Sequence, residues 1–298
     1  MKKLALLSFV LFFQLYAQSA GESGLSFLKI GVGARNLALA DNGTTQSNDA
    51  TAIFYNPANI GLTNNSEIFF MHNSWIQDVS VEALAVKFSL FGLPLNIGLN
   101  SSNIGNIEIR TNPGEKDGSF NAHYFSSSIG TAFSPIDNLY CGAAYKYLYE
   151  NLFSDEATGY AFDFGATYLN VIPNLSASAV LKNLGSMSQL RTEKTKLPTE
   201  FRLGAAYQLP EFVNLVKTFS SVEYQKYTSL NDSHINLGIE AVYNSSLALR
   251  IGYMTAYESK GFTAGLGIKW NLLDIDYAYT PFKYSLGSAQ SISIKAAL

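Results

Sequence analysis

The chain has 298 residues, of which 47% are hydrophobic and 13% aromatic, while only 14% are charged and the net charge is −3. A soluble domain usually has about 25% charged residues, and the slightly acidic balance gives no indication of a nucleic-acid-binding surface. The single cysteine, Cys141, excludes an internal disulfide. A chain that is poor in charge but rich in tyrosine and phenylalanine suits a protein whose outer surface faces lipid.

The N-terminal residues have the pattern of a secretory signal peptide. Two lysines precede an apolar run over residues 4–16, and small residues follow as far as Ala20. This order of charged, apolar and small residues predicts a leader over residues 1–20, cleaved after Ala17 or Ala20. No other stretch has about 18 consecutive apolar residues, so no transmembrane helix is predicted.

Residues 21–65 form a second unit, which lacks regular alternation. This unit is rich in glycine, alanine, asparagine and threonine, and Pro57 disfavours a central strand. We predict loops with short helical turns near residues 37–40 and 49–54.

From residue 66 onward, apolar residues recur at every second position, which is the period of a β-strand. Each alternating segment is close to the length of about 9–11 residues that a tilted strand needs to cross a bilayer. The predicted strands are residues 66–75, 81–91, 94–103, 120–133, 138–149, 158–168, 175–185, 200–209, 215–227, 233–243, 247–256, 261–270, 272–281 and 288–298.

The last five predicted strands favour a membrane barrel over a soluble β-sandwich, which also alternates. One face is apolar and carries aromatic residues typical of the girdles at a membrane interface, namely Tyr243, Tyr253, Trp270, Tyr277 and Tyr279. The other face carries small residues and charges typical of a polar lumen, namely Glu240, Arg250, Lys269, Asp274, Asp276 and Lys295. Because lipid cannot satisfy an open sheet edge, such strands must close. The sequence therefore predicts an all-β fold, a closed antiparallel transmembrane β-barrel of about 14 strands over residues 66–298.

The predicted connections alternate in length. Those after even-numbered strands are short, such as residues 244–246 and Asn271, and those after odd-numbered strands are mostly longer, such as residues 103–119, 150–157 and 186–199. Bacterial barrels have short periplasmic turns and longer outer loops. With an even number of strands, both ends of the chain are expected in the periplasm.

A barrel of about 14 strands encloses a wide lumen, since eight strands leave room only for side chains and 16–18 leave an open channel. The material available to fill it is the unit over residues 21–65, which we predict to be a plug or hatch inside the barrel. Its candidate gating residues are Gly31, Gly33, Arg35, Asp49, Asn56 and Pro57. The glycines, Asn56 and Pro57 have an equally simple interpretation as turn residues.

The lumen charges also have two interpretations. Neighbouring strands carry opposite charges, as for Glu240 beside Arg250, and such residues can form cross-strand ion pairs that hold a solvated wall in register. Alternatively, the charges form a contact surface for the plug or for a ligand.

The sequence contains no common motif for catalysis. It has no G-x-S-x-G, Walker loop, H-E-x-x-H or paired cysteines, and its three histidines lie on separate predicted strands. We therefore expect a non-enzymatic protein without catalytic, cofactor-binding or metal-binding residues.

Two runs near the N-terminus carry a family resemblance. Residues 27–35 read Phe-Leu-Lys-Ile-Gly-Val-Gly-Ala-Arg, and residues 48–58 read Asn-Asp-Ala-Thr-Ala-Ile-Phe-Tyr-Asn-Pro-Ala. These runs resemble the start of the PorV/PorQ family, a branch of the FadL-like outer-membrane barrels, and residues 276–282 resemble its penultimate strand. The sequence departs from the family pattern at Ala40, Asp41, Asn48, Asn59 and Leu298, which leaves the subfamily open.

The resemblance implies an outer-membrane protein of a Bacteroidetes-type Gram-negative bacterium. PorV/PorQ-type proteins are non-catalytic components of type IX secretion that shuttle or anchor exported proteins with C-terminal signal domains. The alternative is FadL-like transport of hydrophobic small molecules. The expected partners are outer-membrane lipid and either such proteins and other secretion components or a hydrophobic ligand. A shuttle is expected to hold its partner on the outer loops, and a transporter to have an apolar internal pocket near residues such as Leu148 and Val242.

Overall fold

The computed structural model describes residues 24–211, 213–228 and 232–298, and within them fourteen antiparallel strands form one closed barrel. Two further short strands, β8 (Gln189–Leu190) and β9 (Glu193–Lys194), form a separate hairpin. The barrel strands are β1 (Glu67–Ser74), β2 (Val79–Leu90), β3 (Leu93–Ile109), β4 (Gly118–Ile136), β5 (Leu139–Leu152), β6 (Asp155–Ile172), β7 (Leu175–Met187), β10 (Glu200–Gln208), β11 (Val216–Tyr227), β12 (Asp232–Tyr243), β13 (Leu247–Met254), β14 (Phe262–Trp270), β15 (Leu273–Pro281) and β16 (Ser288–Ala297).

Each barrel strand pairs with its neighbours in the sequence, except that β7 pairs with β10 because the β8–β9 hairpin lies outside the sheet. The first and last strands then pair, with Glu67 opposite Ala297 and Ser74 opposite Gln290, and this pairing closes the barrel. Closure satisfies the strand edges, as backbone in lipid requires. The predicted closed antiparallel barrel is confirmed, and a soluble β-sandwich is not the fold.

The strands keep the predicted alternation between a buried inner face and an exposed outer face. On β13, Ala248 and Arg250 are buried, whereas Leu249 and Ile251 are 54% and 57% exposed. Trp270, at the end of β14, is 68% exposed. An outer surface of exposed apolar and aromatic side chains is unfavourable in water but matches the hydrocarbon and interfacial zones of a bilayer.

The two ends of the barrel differ in their connections. At the terminal end, β1 begins, β16 ends and tight turns contain asparagines with positive φ, as at Asn138 (64°), Asn174 (68°) and Asn271 (54°). Asparagine tolerates this left-handed conformation better than most residues do. At the opposite end, the loop end, longer connections occur over residues 110–117 and 255–261.

Two predicted long connections are shorter than expected. Strands β5 and β6 continue to Leu152 and from Asp155, so the predicted connection over residues 150–157 is reduced to residues 153 and 154. Strands β3 and β4 likewise extend as a hairpin, which leaves residues 110–117 of the predicted connection over residues 103–119. The extensions lie toward the loop end. There the apolar alternation of the sequence stops, although the backbone pairing of the strands continues. The alternation therefore predicted strands that are too short.

Residues 24–62, which we call the N-terminal segment, begin at the loop end and finish at the terminal end. The N–H of Gly24 donates to the carbonyl of Lys196 in the connection before β10, at 3.1 Å. The segment contains a 3-10 helix (Ser26–Lys29), α1 (Ala34–Ala38), α2 (Ala52–Tyr55) and a second 3-10 helix (Pro57–Leu62). The helical turns predicted near residues 37–40 and 49–54 are therefore present but begin at different residues.

The two ends of the described chain lie at opposite ends of the barrel. Gly24 lies at the loop end, whereas the N–H of Leu298 donates to Ser66 beside the start of β1, at 2.9 Å. The expectation that both chain ends lie on one side is therefore wrong for the described residues, because the N-terminal segment runs the length of the barrel before β1 begins.

The N-terminal segment packs against inward-facing residues from opposite sides of the barrel. Ile53 and Phe54 belong to one buried cluster with small wall residues, namely Ala83, Ala85, Ala132 and Ala144. A second cluster, at the loop end, joins Phe27 with Leu148 of β5 and Met187 of β7. Small inward-facing residues leave the space that the segment occupies, and its apolar side chains are removed from water there.

Within the described residues, no helix is both long enough and apolar enough to cross a bilayer. The predicted signal peptide, residues 1–20, lies outside the described part of the chain.

Candidate functional site

A cluster of charged side chains lies at the terminal end, on the inner face of β12–β16. Arg250 Nε donates to Oε1 of its cross-strand neighbour Glu240 at 2.7 Å, and Nη1 donates to Oδ1 of Asp276 at 2.6 Å. Lys295 Nζ lies 3.0 Å from Oδ2 of its cross-strand neighbour Asp274. These lumen charges thus form the ion pairs that the sheet register allows.

The same cluster binds the N-terminal segment. Arg35 of α1 donates from Nε and Nη2 to the two oxygens of Glu240, at 3.0 and 2.8 Å, which is a bidentate pair. Asp49 Oδ2 lies 3.1 Å from Lys295 Nζ. Glu240 and Lys295 therefore each contact one partner on the wall and one on the segment. The network thus contains pairs between neighbouring strands as well as pairs between the wall and the segment.

Asp49 is held in its charged form. Burial raises the pKa of Asp49, but the Lys295 ammonium and hydrogen bonds from Thr51 outweigh burial and hold the pKa well below its usual range. The Thr51 N–H donates to Oδ1 of Asp49 at 2.9 Å. The contact between segment and wall at this point therefore depends on an ionised carboxylate.

Lys269 differs from the other predicted lumen charges. It lines a recess of about 220 Å³ together with Arg35 and Val242, but it is exposed, and no carboxylate of the described residues lies within 4 Å of its ammonium. Asp274 lies opposite it in register but pairs with Lys295 instead. Val242, expected to line an apolar pocket, lies beside this charged recess.

The two glycine candidates are required by geometry. Gly33, which precedes α1, has a φ of 96°, a conformation that side chains disfavour. A Cβ at Gly31 would overlap the carboxylate of Asp41 and the hydroxyl of Tyr55. Both positions therefore let the segment approach its own neighbouring turns closely.

Asn56 and Pro57 join the segment to the wall at the start of the second 3-10 helix. Asn56 Oδ1 accepts from the Ala58 N–H at 3.0 Å, and Nδ2 donates to the Thr44 carbonyl at 2.9 Å and to Thr167 Oγ1 of β6 at 3.0 Å. Pro57 is the first helical residue, where a missing N–H leaves no hydrogen bond unmade. Asn56 is fully buried, so its amide must keep these partners.

A second charged cluster, which the sequence prediction did not include, lies around Arg202 of β10. Arg202 is 2% exposed and contacts Glu223 at 2.8 Å, Glu200 at 3.1 Å and Asp41 of the segment at 3.2 Å. Tyr55 donates to Asp41 at 2.6 Å. A buried guanidinium is tolerated because several carboxylates compensate it. Glu200 and Arg202 are two residues apart on one strand face, so the rule used for the last five strands would have found them.

At the loop end, a vestibule of about 350 Å³ lies between the N-terminal segment and the barrel wall. Its lining includes the cations Lys29 and Lys260 and a set of apolar or aromatic residues, namely Phe27, Ile30, Trp75, Val79, Ile104 and Tyr124. The rings of Phe27 and Tyr124 stack with their centroids 5.7 Å apart. Leu148, expected near an apolar pocket, belongs to the buried cluster around Phe27. The vestibule has the size and lining of a small-molecule site.

A separate groove of about 460 Å³ forms where the three predicted outer connections meet. Ile109 and Phe120 come from the β3–β4 hairpin, Phe153 from the β5–β6 turn and Leu190 from the β8–β9 hairpin. Phe153 is 58% exposed. An exposed apolar recess of this kind is a common feature of binding surfaces.

Solved structures with the same fold are outer-membrane barrels. The chain is similar to the CymD monoaromatic hydrocarbon channel, with a TM-score of 0.62 and 12% identity over 90% of this chain and 98% of that chain. It is similar to the TodX deltaS2S3 mutant monoaromatic hydrocarbon channel, with a TM-score of 0.59 and 14% identity over 90% and 97% of the two chains. It is also similar to a FadL homologue of Pseudomonas aeruginosa, with a TM-score of 0.52 and 11% identity over 90% and 98%.

At these identities the likeness shows the fold alone, a closed β-barrel like those of the proteins just described. No family model matches the sequence, and no curated relative matches it. The PorV/PorQ resemblance therefore stays a prediction.

Replacing Arg35 tests the contact between segment and wall. Arg35→Gln is expected to lower the free energy of unfolding by about 1.5–3 kcal/mol, because it removes charge-assisted hydrogen bonds to Glu240. Urea unfolding of the protein folded into lipid vesicles measures this change. The matched control is Lys269→Gln in the same recess, which is expected to change stability by less than about 0.5 kcal/mol. Equal losses in the two variants would contradict the assignment.

The Asp49 contact is expected to depend on pH. Because the folded-state pKa of Asp49 is lowered, its stabilisation is complete above the unfolded-state pKa of about 3.9 and is lost as the pH falls below that value. The difference in unfolding free energy between the native protein and Asp49→Asn should therefore be constant at neutral pH and shrink under acid conditions. A difference that grows on acidification would show that Asp49 is not held as a carboxylate.

Proposed function

We propose that the protein is an outer-membrane barrel that takes up hydrophobic small molecules, in the manner of FadL-like transporters. The observation that carries this proposal is the apolar and aromatic vestibule at the loop end, which reaches from Trp75 at the rim to Phe27 of the N-terminal segment. The names of the fold neighbours support it, since two of them are described as monoaromatic hydrocarbon channels. Transport is therefore preferred here to the secretion role that the sequence resemblance implies.

The proposal fixes the orientation of the barrel. Longer connections mark the outer side of bacterial barrels and tight turns mark the periplasmic side. The loop end would then face the outside of a Gram-negative cell, and the terminal end with its charged cluster would face the periplasm. The predicted signal peptide over residues 1–20 would direct export.

In this proposal the N-terminal segment acts as the plug. It lies under the vestibule, and its contacts with the wall occur at Arg35 and Asp49 on one side and at Asn56 on the other. A solute that leaves the vestibule toward the periplasm must pass residues that these contacts hold in place. The candidate gating residues, including Gly31, Gly33 and Pro57, would set how far the segment can rearrange.

Filling the vestibule tests uptake directly. Ile104→Trp places a large ring in the vestibule, so uptake of a radiolabelled monoaromatic hydrocarbon should fall roughly tenfold, a loss equivalent to ~1.4 kcal/mol. The assay uses a Gram-negative host that lacks its own FadL-like barrels. The matched control is Ser101→Trp, because Ser101 lies on the outer face of the same strand and should leave uptake unchanged. Uptake that is equal in both variants and the native protein would sink the proposal.

The second candidate function is the PorV/PorQ type of role in type IX secretion. The specific observation in its favour is the groove, because all three loops expected to hold an exported protein contribute to it. Ile109, Phe120, Phe153 and Leu190 provide apolar contact area there, and the Arg110–Glu108 pair at its edge is solvent-exposed. An apolar centre with a polar rim is the usual composition of a protein interface.

The groove is tested by capture of partners from the protein's own host. If secretion is the function, Phe153→Asp should strongly reduce the recovery of exported proteins with a shared C-terminal domain, because it places a charge in the apolar centre. The matched control is Phe91→Asp, since Phe91 is another exposed turn residue with positive φ, at the terminal end. Quantitative mass spectrometry compares the captured proteins. Recovery that is unaffected by Phe153→Asp would exclude the groove as the binding surface.

A further inference from the structure

The vestibule is lined by two lysines that form no salt bridge with any described residue. Its lining includes Lys29 from the first 3-10 helix and Lys260 from the connection before β14, and none of the described residues that line it is an aspartate or glutamate. Among the described residues, no carboxylate oxygen lies within 4 Å of either ammonium. The vestibule is thus cationic, whereas a site that binds only neutral hydrocarbons has no need of charged lining residues.

Two other lysines of the lumen form salt bridges with carboxylates. Lys146 lies 2.7 Å from Asp163, and Lys182 lies 2.9 Å from Glu200. The vestibule lysines lie over aromatic rings instead, with Lys29 Nζ 5.0 Å from the centroid of Tyr227. The face of a ring stabilises a cation only modestly and leaves the ammonium able to accept an anion as a further partner.

Because these ammonium groups are partly buried, keeping them charged costs more desolvation free energy than it does for lysines on the surface. Burial lowers the pKa of Lys29, with the Asp232 carboxylate opposing it, and burial also lowers the pKa of Lys260, with Asp41 opposing it. A desolvated charge without a partner is unfavourable, and a bound anion would relieve that cost.

The remaining surface of the vestibule suits a flat apolar group. The Phe27 and Tyr124 rings stack at 5.7 Å, with 25° between their planes, and Trp75 is fixed by an edge-on contact with Phe282 at 5.2 Å. Lys260 Nζ lies 5.5 Å from the centroid of Trp75, so cation and ring are adjacent. Aromatic walls favour offset or edge-on contact with another ring, and about 350 Å³ is enough for a small molecule.

We propose that the vestibule binds a small aromatic carboxylate, with its carboxylate toward Lys29 and Lys260 and its ring against Trp75 and Tyr124. This inference rests on the proposed uptake function and names the substrate class of that site. It differs from the hydrocarbon that the names of the fold neighbours suggest, because a neutral hydrocarbon leaves both ammonium groups without a partner.

The test compares three probes of similar size on the full-length protein in a non-ionic detergent. The probes are 3-phenylpropionate, its neutral amide 3-phenylpropanamide, and octanoate, which is an anion without a ring. Binding is followed by the fluorescence of Trp75 in a Trp270→Phe background, because Trp75 and Trp270 are the two tryptophans of the chain. Trp270 lies on the outer face at the opposite end, so its removal leaves the vestibule intact.

We expect 3-phenylpropionate to bind at least about tenfold more tightly than the amide and than octanoate, a ratio that corresponds to ~1.4 kcal/mol. The double variant Lys29→Gln/Lys260→Gln should abolish the preference for the acid over the amide while still binding both weakly. The matched control is Lys283→Gln, an exposed lysine of the β15–β16 connection, which should retain the preference. Heat-modifiable gel migration confirms that each variant is folded.

Each outcome decides the proposal. Equal affinity for acid and amide, or a preference that survives in the double lysine variant, overturns the anion site. Octanoate binding as tight as that of 3-phenylpropionate overturns the aromatic class. If acid and amide bind equally while Ile104→Trp still blocks hydrocarbon uptake in cells, the inference fails and the uptake function stands. If 3-phenylpropionate binds as expected but Ile104→Trp leaves hydrocarbon uptake unchanged, the site stands and hydrocarbon transport fails.

Discussion

A backbone group in lipid has no water to bind, so the whole architecture depends on the pairing of β1 with β16. Once that pairing closes the ring, the outward positions face hydrocarbon and the inward positions must take the charged side chains of the spanning strands. The buried ones among those charges must be compensated locally. The Arg202 cluster and the terminal-end cluster are the result, and in both of them part of the compensation comes from the N-terminal segment.

The N-terminal segment therefore stabilises the barrel, in addition to being a candidate gate. Arg35 shares Glu240 with Arg250, and Asp41 shares Arg202 with Glu223. Any movement of the segment away from the barrel wall must leave wall charges unpaired or supply them with water. This coupling favours small rearrangements of the segment over its complete removal, since several buried pairs would otherwise break together.

The strand pattern of the barrel could be predicted because lipid imposes a strict period of two on the outward face. Residues such as Leu249 and Ile251 are apolar for that reason alone, and they are sufficient to identify β13. The prediction failed where the constraint ends, because β5 and β6 continue without apolar alternation as far as the turn at Phe153. The helices of the N-terminal segment were displaced because they are very short, and their ends are set by contacts such as Asn56 with Thr167.

The candidate site was predictable only in part. Alternation identified Glu240 and Arg250 as inward charges, but their partners follow from register and from the path of the segment, which residue types do not encode. Lys269 illustrates the limit, since its register neighbour Asp274 is bound by Lys295. The vestibule could not be foreseen, because Lys29, Trp75 and Lys260 are distant in sequence and meet only when the segment reaches the loop end.

The path of the N-terminal segment also restricts how the molecule can be assembled. Gly24 is hydrogen-bonded at one mouth, and the second 3-10 helix lies against the wall at the other. If the barrel closed first, the segment would have to enter it from one end and move past wall residues that it contacts closely in the folded state. The simpler order is that residues 24–62 pack on the sheet while it is still open, and that β1 and β16 pair last. In that order, the final step of folding encloses the segment.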